Sequence, residues 1–281
     1  MTDFGDLDAI ARALAEIALA AGPAVMEEYA RAAPGRDKAD GSPVTAADER
    51  AEAIIIERLT VFAPDVAVVA EEACAAGAAL VAPRRFFLVD PLDGTKEFLA
   101  RNGEFTINIG LIEDGLPVAG AVYAPALGEV WFGGRSAFSA EARLGRRLAE
   151  EPTPIAVRPA SAKLAALASR SHSDAATEAF LTKLGVAERL SAGSSLKFCR
   201  VAEGVADLYP RFGSTMEWDT AAADAVLRAA GGMTLGLDGK PLRYGKLETG
   251  LRNAGFVVVG DPKLTSRAVN ALSAISAENP P

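Results

Sequence analysis

The sequence predicts an α+β fold in which helices cover two sheets, and three observations carry that prediction. The N-terminal part holds two helical patterns ahead of a run of paired strands. The C-terminal part alternates strand and helix, the pattern of a mixed sheet covered by helices. Neither an internal repeat nor a low-complexity tract interrupts them, although alanine is abundant throughout.

Taken in order, Leu7, Ile10, Ala11, Leu14, Ile17, Ala18, Ala21, Val25 and Tyr29 fall at spacings of three and four, one apolar helix face. A polar loop bearing Gly and Pro follows over residues 33–43. Thr45 and Asp48 then stand at capping-box spacing, with Asp in place of the usual Glu, at the head of a second helix over 45–62. Residues 66–70, "VAVVA", read as a short buried strand that delivers Glu71 and Glu72, and "FFLV" (86–89) as another that delivers Asp90. After an Asp-Gly turn, 105–112 and 117–125 read as a hairpin, with "GEVWFGG" as its next strand. The charged stretch 141–154 ends in prolines and is the expected boundary, giving halves 1–150 and 151–281. Beyond it "LAALAS" is a strand, "DAATEAFLTKLG" a helix, and "SSLKFCRVAEGVADLY" a helix running into a strand. "EWDTAAADAVLRAAGG" is helical and closes on a glycine pair; "FVVVG" is a last strand, with a helix from about Pro262.

Bulk properties exclude several function classes. The 281 residues suffice for a large core, and 50% hydrophobic with 23% charged residues is ordinary for a soluble globular protein. A net charge of −8 argues against a nucleic-acid surface, which needs a basic face. An anionic substrate would therefore need metal ions or clustered Lys and Arg to overcome the background. The two cysteines, Cys74 and Cys199, are too few for a disulfide framework and fit a reducing compartment. The N-terminus carries Asp3, Asp6, Asp8, Arg12 and Glu16, unlike a signal peptide, and no stretch reaches the roughly 18 uncharged apolar residues of a membrane span. These features point to a cytoplasmic protein, with peripheral attachment at the inner membrane left open.

The chemistry lies in acids that follow strands or open helices. Asp90 and Asp93 flank Pro91-Leu92 after "FFLV", Glu71 follows "VAVVA", and Asp219 sits in the first turn of "EWDTAAADAVL". Each has a structural excuse alone: an edge charge for Glu71, an Asx turn for Asp93, a favourable charge at a positive helix end for Asp219. Together, strands ending side by side would gather several carboxylates into one cleft, stable only if cations neutralise it. An EF-hand is excluded, because Asp90-Pro-Leu-Asp93-Gly lacks the alternating ligand positions. Gly94 and Thr95 sit where a helix could begin, so their N–H groups could face the same cleft and hold an anion. Metal ligands beside a phosphate cradle point to phosphoryl chemistry.

"VTAAD", "VVAEEA", "VDPLDGTKEF" and "EWDTAAADAV", in this order, resemble the inositol monophosphatase superfamily of Mg²⁺-dependent, Li⁺-sensitive phosphatases, over nearly the whole chain. "DPLDGTKEFLARNGEFTINIGLI", "SRSHSD", "GSSLKFCRVAEGVADLYPRFG" and "EWDTAAADAV" resemble in more detail its 3′(2′),5′-bisphosphate nucleotidase branch. The resemblance implies a layered α-β-α-β-α sugar-phosphatase architecture, with an N-terminal antiparallel sheet and a C-terminal mixed sheet. It implies two or three Mg²⁺ ions: Glu71, Asp90 and the Leu92 carbonyl for the first, Asp90, Asp93 and Asp219 for the second, and a weaker third reached through Glu71 and waters. Thr95 with Asp48 matches the pair that orients the attacking water, while the capping reading of Asp48 stays open beside it.

The implied reaction is in-line attack of that water on the 3′-phosphate of adenosine 3′,5′-bisphosphate, giving AMP and phosphate, and in the same way on the 3′-phospho sulfate donor of sulfur assimilation. His172, Ser194, Lys197 and Arg211 match residues of the nucleotide site, beside Asp93, Gly94, Thr95 and Asp219. Read from the residues alone, Lys197 is also a solvated helix position, and Arg211 a snorkelling surface side chain. Ser214 and Ala254 stand where relatives often carry Pro, and "EEACAAGAAL" is unusually small and apolar after Glu72; all lie outside the implied metal ligands.

Two other readings stand beside the nucleotidase. One is a phosphatase of the same fold acting on inositol or sugar phosphates. The other, from a different class, is a metal-dependent nucleotide-binding regulatory protein with little turnover. The set Glu71, Asp90, Asp93, Thr95 and Asp219 argues against a pure binder, which has no need to activate water. Lys197 and Arg211 favour a substrate with a second phosphate over an inositol phosphate. Oligomeric state is not legible in the sequence.

Overall fold

A computed structural model of the chain describes residues 2–31, 35–37, 43–148, 151–168 and 175–278. The first half opens with helix α1 (Leu7–Arg31), a two-strand ladder β1 (Arg36–Asp37) and β2 (Pro43–Val44), and helix α2 (Ala46–Phe62). Strand β3 (Ala67–Ala70) leads into the short helix α3 (Glu71–Ala75), and β4 (Arg85–Asp93) into the short helix α4 (Thr95–Leu99). Five antiparallel strands complete the sheet: β5 (Thr106–Glu113), β6 (Leu116–Ala124), β7 (Glu129–Gly133), β8 (Ala137–Glu141) and β9 (Thr153–Ile155). The sheet is not wholly antiparallel, because β3 runs parallel to β4 at its edge. We propose dividing the chain near residue 150; β9 adds to the first sheet from beyond that line.

The second half holds β10 (Leu164–Ala168), α5 (Ala175–Lys183), β11 (Val186–Ser191), α6 (Leu196–Ala202) and β12 (Leu208–Arg211). It continues with β13 (Thr215–Met216), α7 (Trp218–Ala229), β14 (Met233–Gly236), β15 (Arg252–Asn253), β16 (Phe256–Val259) and α8 (Thr265–Glu278). Strand order β11-β10-β12-β16-β14 makes a mixed sheet, parallel on the β11 side and antiparallel on the β14 side.

Three apolar clusters divide the molecule into layers. The first joins α1 and α2 to one face of the seven-stranded sheet, and the second joins that sheet's other face to α6, α7 and the five-stranded sheet. The third packs α5 and α8 on the outer face of the second sheet. The order is therefore α-β-α-β-α, as the resemblance implied. Alanine abundance has its reason here. α7 is buried almost all round through Ala221, Ala222, Ala223 and Ala225, and small side chains let it lie close to both sheets. On the strand side Gly120 completes the fit, since a Cβ there would stand 2.4 Å from the Ala222 carbonyl oxygen.

α1 is long and apolar enough by composition to cross a membrane, with at most two charged residues in its most apolar stretch. In the fold, 61% of its apolar window is buried against α2 and the sheet.

Candidate active site

The quoted turn after "FFLV" is a bulge inside a strand. β4 does not stop at Val89; it runs to Asp93, which pairs with Thr106, and its register breaks between Asp90 and Asp93. Pro91 explains the break, since it has no N–H to give the ladder. The Leu92 N–H donates to Asp90 Oδ1 at 3.0 Å, so the turn chemistry and the carboxylate pair coexist. Gly94 ends the segment at φ +90°, a left-handed conformation, with the Glu104 carbonyl 3.2 Å from where a Cβ would sit. Glycine alone suits that position, and α4 starts directly after it.

Side chains alternate along β4. Phe87 and Val89 join the core under α1 and α2, Phe86 and Leu88 the core under α7, so Asp90 takes the α7 side. Asp219 stands in the first turn of α7, and Glu71 opens α3 at the end of the neighbouring β3. The four acids feel one another. Burial first, then Glu71, Asp93 and Asp219, push the Asp90 carboxyl well above its ordinary range, against the pull of the Leu92 N–H. Burial, then Asp93 and Glu71, raise Asp219 to about 8, opposed by the Met216 N–H and by Arg211.

Hydrogen bonds hold one oxygen of each aspartate. Asp93 Oδ2 accepts from the Ser194 hydroxyl and, at 2.7 Å, from the Ser195 N–H; Asp219 Oδ2 accepts from the Met216 N–H at 3.0 Å. As the side chains stand, no three carboxylate, imidazole or thiol groups among the described residues are close enough to close a metal shell. The donor set nonetheless fits a hard divalent cation: it is all oxygen and acidic, with Asp90 buried and the other three acids partly so, and it is electrostatically unfavourable until cations neutralise it.

Thr95 and Asp48 meet as expected, though loosely. Thr95 Oγ1 lies 3.5 Å from Asp48 Oδ1 and 3.3 Å from the Leu92 carbonyl, so its one proton is divided between two distant acceptors. Asp48 Oδ2 accepts from both the N–H and the hydroxyl of Thr45 at 2.7 Å, which completes the capping box at the head of α2. One side chain thus caps α2 with Oδ2 and faces Thr95 with Oδ1.

The second half reaches the same place through the loop before α6. Ser194 adopts φ +52° and places its hydroxyl on Asp93. Lys197 is not a solvated helix position: it is 4% exposed, and its ammonium donates to the carbonyls of Ala192 at 3.1 Å and Ser194 at 2.8 Å. Two of its three donors are therefore used within the protein. Arg211 ends β12, half-buried, and its guanidinium donates to the Ser214 carbonyl. Burial works against its charge, but Tyr209 and the acids Asp219 and Asp93 outweigh burial and raise its pKa. His172 lies outside the described residues. Gly94 and Thr95 form the α4 start beside Asp93, where the Phe98 N–H closes the turn onto the Gly94 carbonyl at 2.9 Å.

Several site residues escape sequence reasoning. Thr106 Oγ1 bonds the Ser194 and Ser195 hydroxyls at 2.6 and 2.8 Å, and the Ser195 hydroxyl donates to Asn108 Oδ1 at 2.8 Å. This network stitches the loop of the second half onto β5. Its signal is present in "FTINIGLI", where Thr106 and Asn108 alternate with isoleucines in a strand that is otherwise apolar. Glu52 is a second omission: a 6% exposed carboxylate on α2 that accepts from the N–H groups of Glu72 at 2.7 Å and Ala73 at 2.8 Å. Burial, with Glu72 and Glu71 adding to it, raises Glu52 to about 7 despite those two N–H bonds.

A cavity of about 250 Å³ lies beside Glu71, lined also by Cys74, Leu80, Met216, Trp218 and Arg252. A larger concavity of about 720 Å³ between α1 and α2 touches none of the four acids. Charge, not size, locates the site.

Comparison with known proteins bears on the whole of this arrangement. The profile of the inositol monophosphatase family matches residues 6–276. The 3′(2′),5′-bisphosphate nucleotidase CysQ of Escherichia coli (strain K12) is 46% identical over 245 residues, covering 86% of this chain and 96% of that protein. The crystal structure of CysQ from Bacteroides thetaiotaomicron, described as a bacterial member of the same family, aligns with a TM-score of 0.74 at 38% identity, over 90% of this chain and 97% of its own. The inositol monophosphatase of Anabaena (Nostoc) sp. PCC 7120 aligns with a TM-score of 0.72 at 24% identity, over 95% and 96% of the two chains, and shares the fold. From motifs, layers and acid cluster alike, this chain belongs to the inositol monophosphatase family.

Proposed function

We propose that the protein is a Mg²⁺-dependent 3′(2′),5′-bisphosphate nucleotidase of the cytoplasm, removing the 3′-phosphate of adenosine 3′,5′-bisphosphate and of the related 3′-phospho sulfate donor. The observation that carries the reading is the seam at Asp93. Ser194 and Ser195 bond this carboxylate, which ties the start of α6 with Lys197 to Asp93, and Arg211 lies within the field of Asp219 and Asp93. A site that pairs an acid cluster with two cationic side chains suits a substrate with two phosphates, one at the acids through a metal and one at the cations.

Glu71, Asp90, the Leu92 carbonyl, Asp93 and Asp219 would hold two or three Mg²⁺ ions. When bound, these supply a Lewis acid for the transferred phosphate and a lowered pKa for the attacking water. The chain's own groups do the rest. Thr95, with its proton shared between Asp48 and Leu92, is free to turn and orient that water, and Asp48 can receive a proton through the hydroxyl. The N–H groups at the α4 start would meet phosphate oxygens. Arg211, kept charged by the neighbouring acids, would take the second phosphate, with the remaining donor of Lys197 and with His172 completing the nucleotide side.

Phosphate release over a substrate panel tests this. Adenosine 3′,5′-bisphosphate with Mg²⁺ should exceed inositol 1-phosphate and fructose 1,6-bisphosphate in kcat/KM by at least about tenfold, the order of one charge-assisted contact. Preference for an inositol phosphate would transfer the assignment to the sugar-phosphatase reading. Binding of the nucleotide without turnover would favour the regulatory one.

A further inference from the structure

α3 is an unusual carrier for a functional acid. It has five residues, none of them buried, and its N-cap is Ala70, which offers no side-chain acceptor. A helix this short does not hold itself together, and its first N–H groups need partners from elsewhere. The partner comes from another helix. Glu52 of α2, itself 6% exposed, places Oε2 on the Glu72 N–H and Oε1 on the Ala73 N–H, at 2.7 and 2.8 Å. Those are the two peptide groups that follow Glu71.

We infer that Glu52 is a positioning residue for the metal end of the site: it caps α3 from outside and so fixes where the Glu71 carboxylate points. The inference rests on the proposed metal role of Glu71. The geometry supports it in three ways. Both carboxylate oxygens are used, so the cap restrains rotation as well as distance. Glu52 stands one helical turn after Asp48, so α2 carries both the acid that serves Thr95 and the acid that sets Glu71. The residues after α3, from Gly77 to Ala79, are exposed, so little packing on that side replaces the cap.

The experiment compares Glu52→Gln and Glu52→Ala with the wild type. Gln keeps the shape but sets an amide N–H₂ against one of the two N–H donors; Ala removes both acceptors. Three quantities are read on chelator-treated protein: the Tm, the Mg²⁺ concentration for half of the Mg²⁺-induced rise in Tm, and KM for adenosine 3′,5′-bisphosphate at saturating Mg²⁺. Loss of an outer partner of a metal ligand typically costs roughly 10- to 100-fold in metal affinity. The Mg²⁺ midpoint should therefore rise by about that factor in Glu52→Ala and by less in Glu52→Gln, while KM at saturating Mg²⁺ changes less than about twofold. A lower Tm with an unchanged Mg²⁺ midpoint in both variants would make Glu52 a stability cap and overturn the inference. If Glu52→Ala fails to fold, Glu52→Gln decides alone. A wild type whose Tm ignores Mg²⁺ would sink the metal reading, and this inference with it.

Discussion

Two groups of acids in this protein are treated differently by the chain. In the scaffold, three buried acids are matched by cations of the chain itself. Glu217, fully buried, binds the Lys246 ammonium at 2.6 Å and the N–H groups of Gly245 and Lys246. Asp207 takes the Arg158 guanidinium at 2.7 Å, and Asp224 takes Arg228 at 3.0 Å together with Thr234 and Tyr244. At the site, among the described residues, no ion pair reaches Asp90, Asp93 or Asp219. They have hydrogen bonds and each other. At Glu217, Asp207 and Asp224 the fold thus neutralises a buried carboxylate with a cation of its own. Under the proposed function, the acids of the site would take a mobile cation instead.

The sharpest way to break this contrast is to neutralise one acid from each group. Asp93→Asn should fold, lose more than about nine-tenths of kcat, and melt in chelator no lower than wild type, because a repelling charge has gone. Glu217→Gln should instead leave Lys246 without its counter-charge and cost about 3 kcal/mol of stability, the order for breaking a buried pair. Equal loss of Tm in both variants would erase the distinction between the groups.

Arg211→Ala and Lys197→Ala sharpen it from the cationic side. Loss of a charge-assisted contact to phosphate, about 1.5–3 kcal/mol, should lower kcat/KM for the bisphosphate roughly 10- to 150-fold in Arg211→Ala, with little change on a substrate lacking the second phosphate. Lys197→Ala should lower both, since it also leaves the Ala192 and Ser194 carbonyls without a donor next to the Ser194–Asp93 bond. Selective loss in Lys197→Ala and uniform loss in Arg211→Ala would reverse these two roles.

How much of this was legible in the sequence follows the range of the contacts. The capping box of Thr45 and Asp48, the α7 helix with Asp219 and the Asp90–Asp93 turn are local, and spacing reveals them. The continuation of β4 to Asp93 was not, because it needs Thr106 across the ladder. Thr106, Asn108 and Ser195 are joined over 87 and 89 positions of chain, so no local pattern couples them. Glu52 left a fainter trace, an acid on the helix face that also carries the buried Ala51, Ile55 and Leu59. Lys197 misled because its helix is short and buried nearly all round, so the spacing that marks an exposed face was missing.

A smaller effect concerns pH. Asp219 titrates near 8 and Glu52 near 7 in the folded chain, and Asp90 also lies well above an ordinary carboxylate; in the unfolded chain all three would titrate near 4. Between about pH 4 and 8 the folded state therefore binds more protons than the unfolded one, and stability falls as pH rises. In chelator, Tm should decline from pH 5.5 to 8, and Mg²⁺, which favours the ionised acids, should flatten the decline. A Tm that climbs over this range in chelator would contradict the assignment of these groups.

The central claim is that the acid cluster works only with a divalent cation. Phosphate release from adenosine 3′,5′-bisphosphate, followed while Mg²⁺ is added to chelator-treated enzyme, tests it most directly. Release should rise from background, saturate with Mg²⁺ and return to background when excess EDTA is added. Full turnover in excess EDTA would contradict the account.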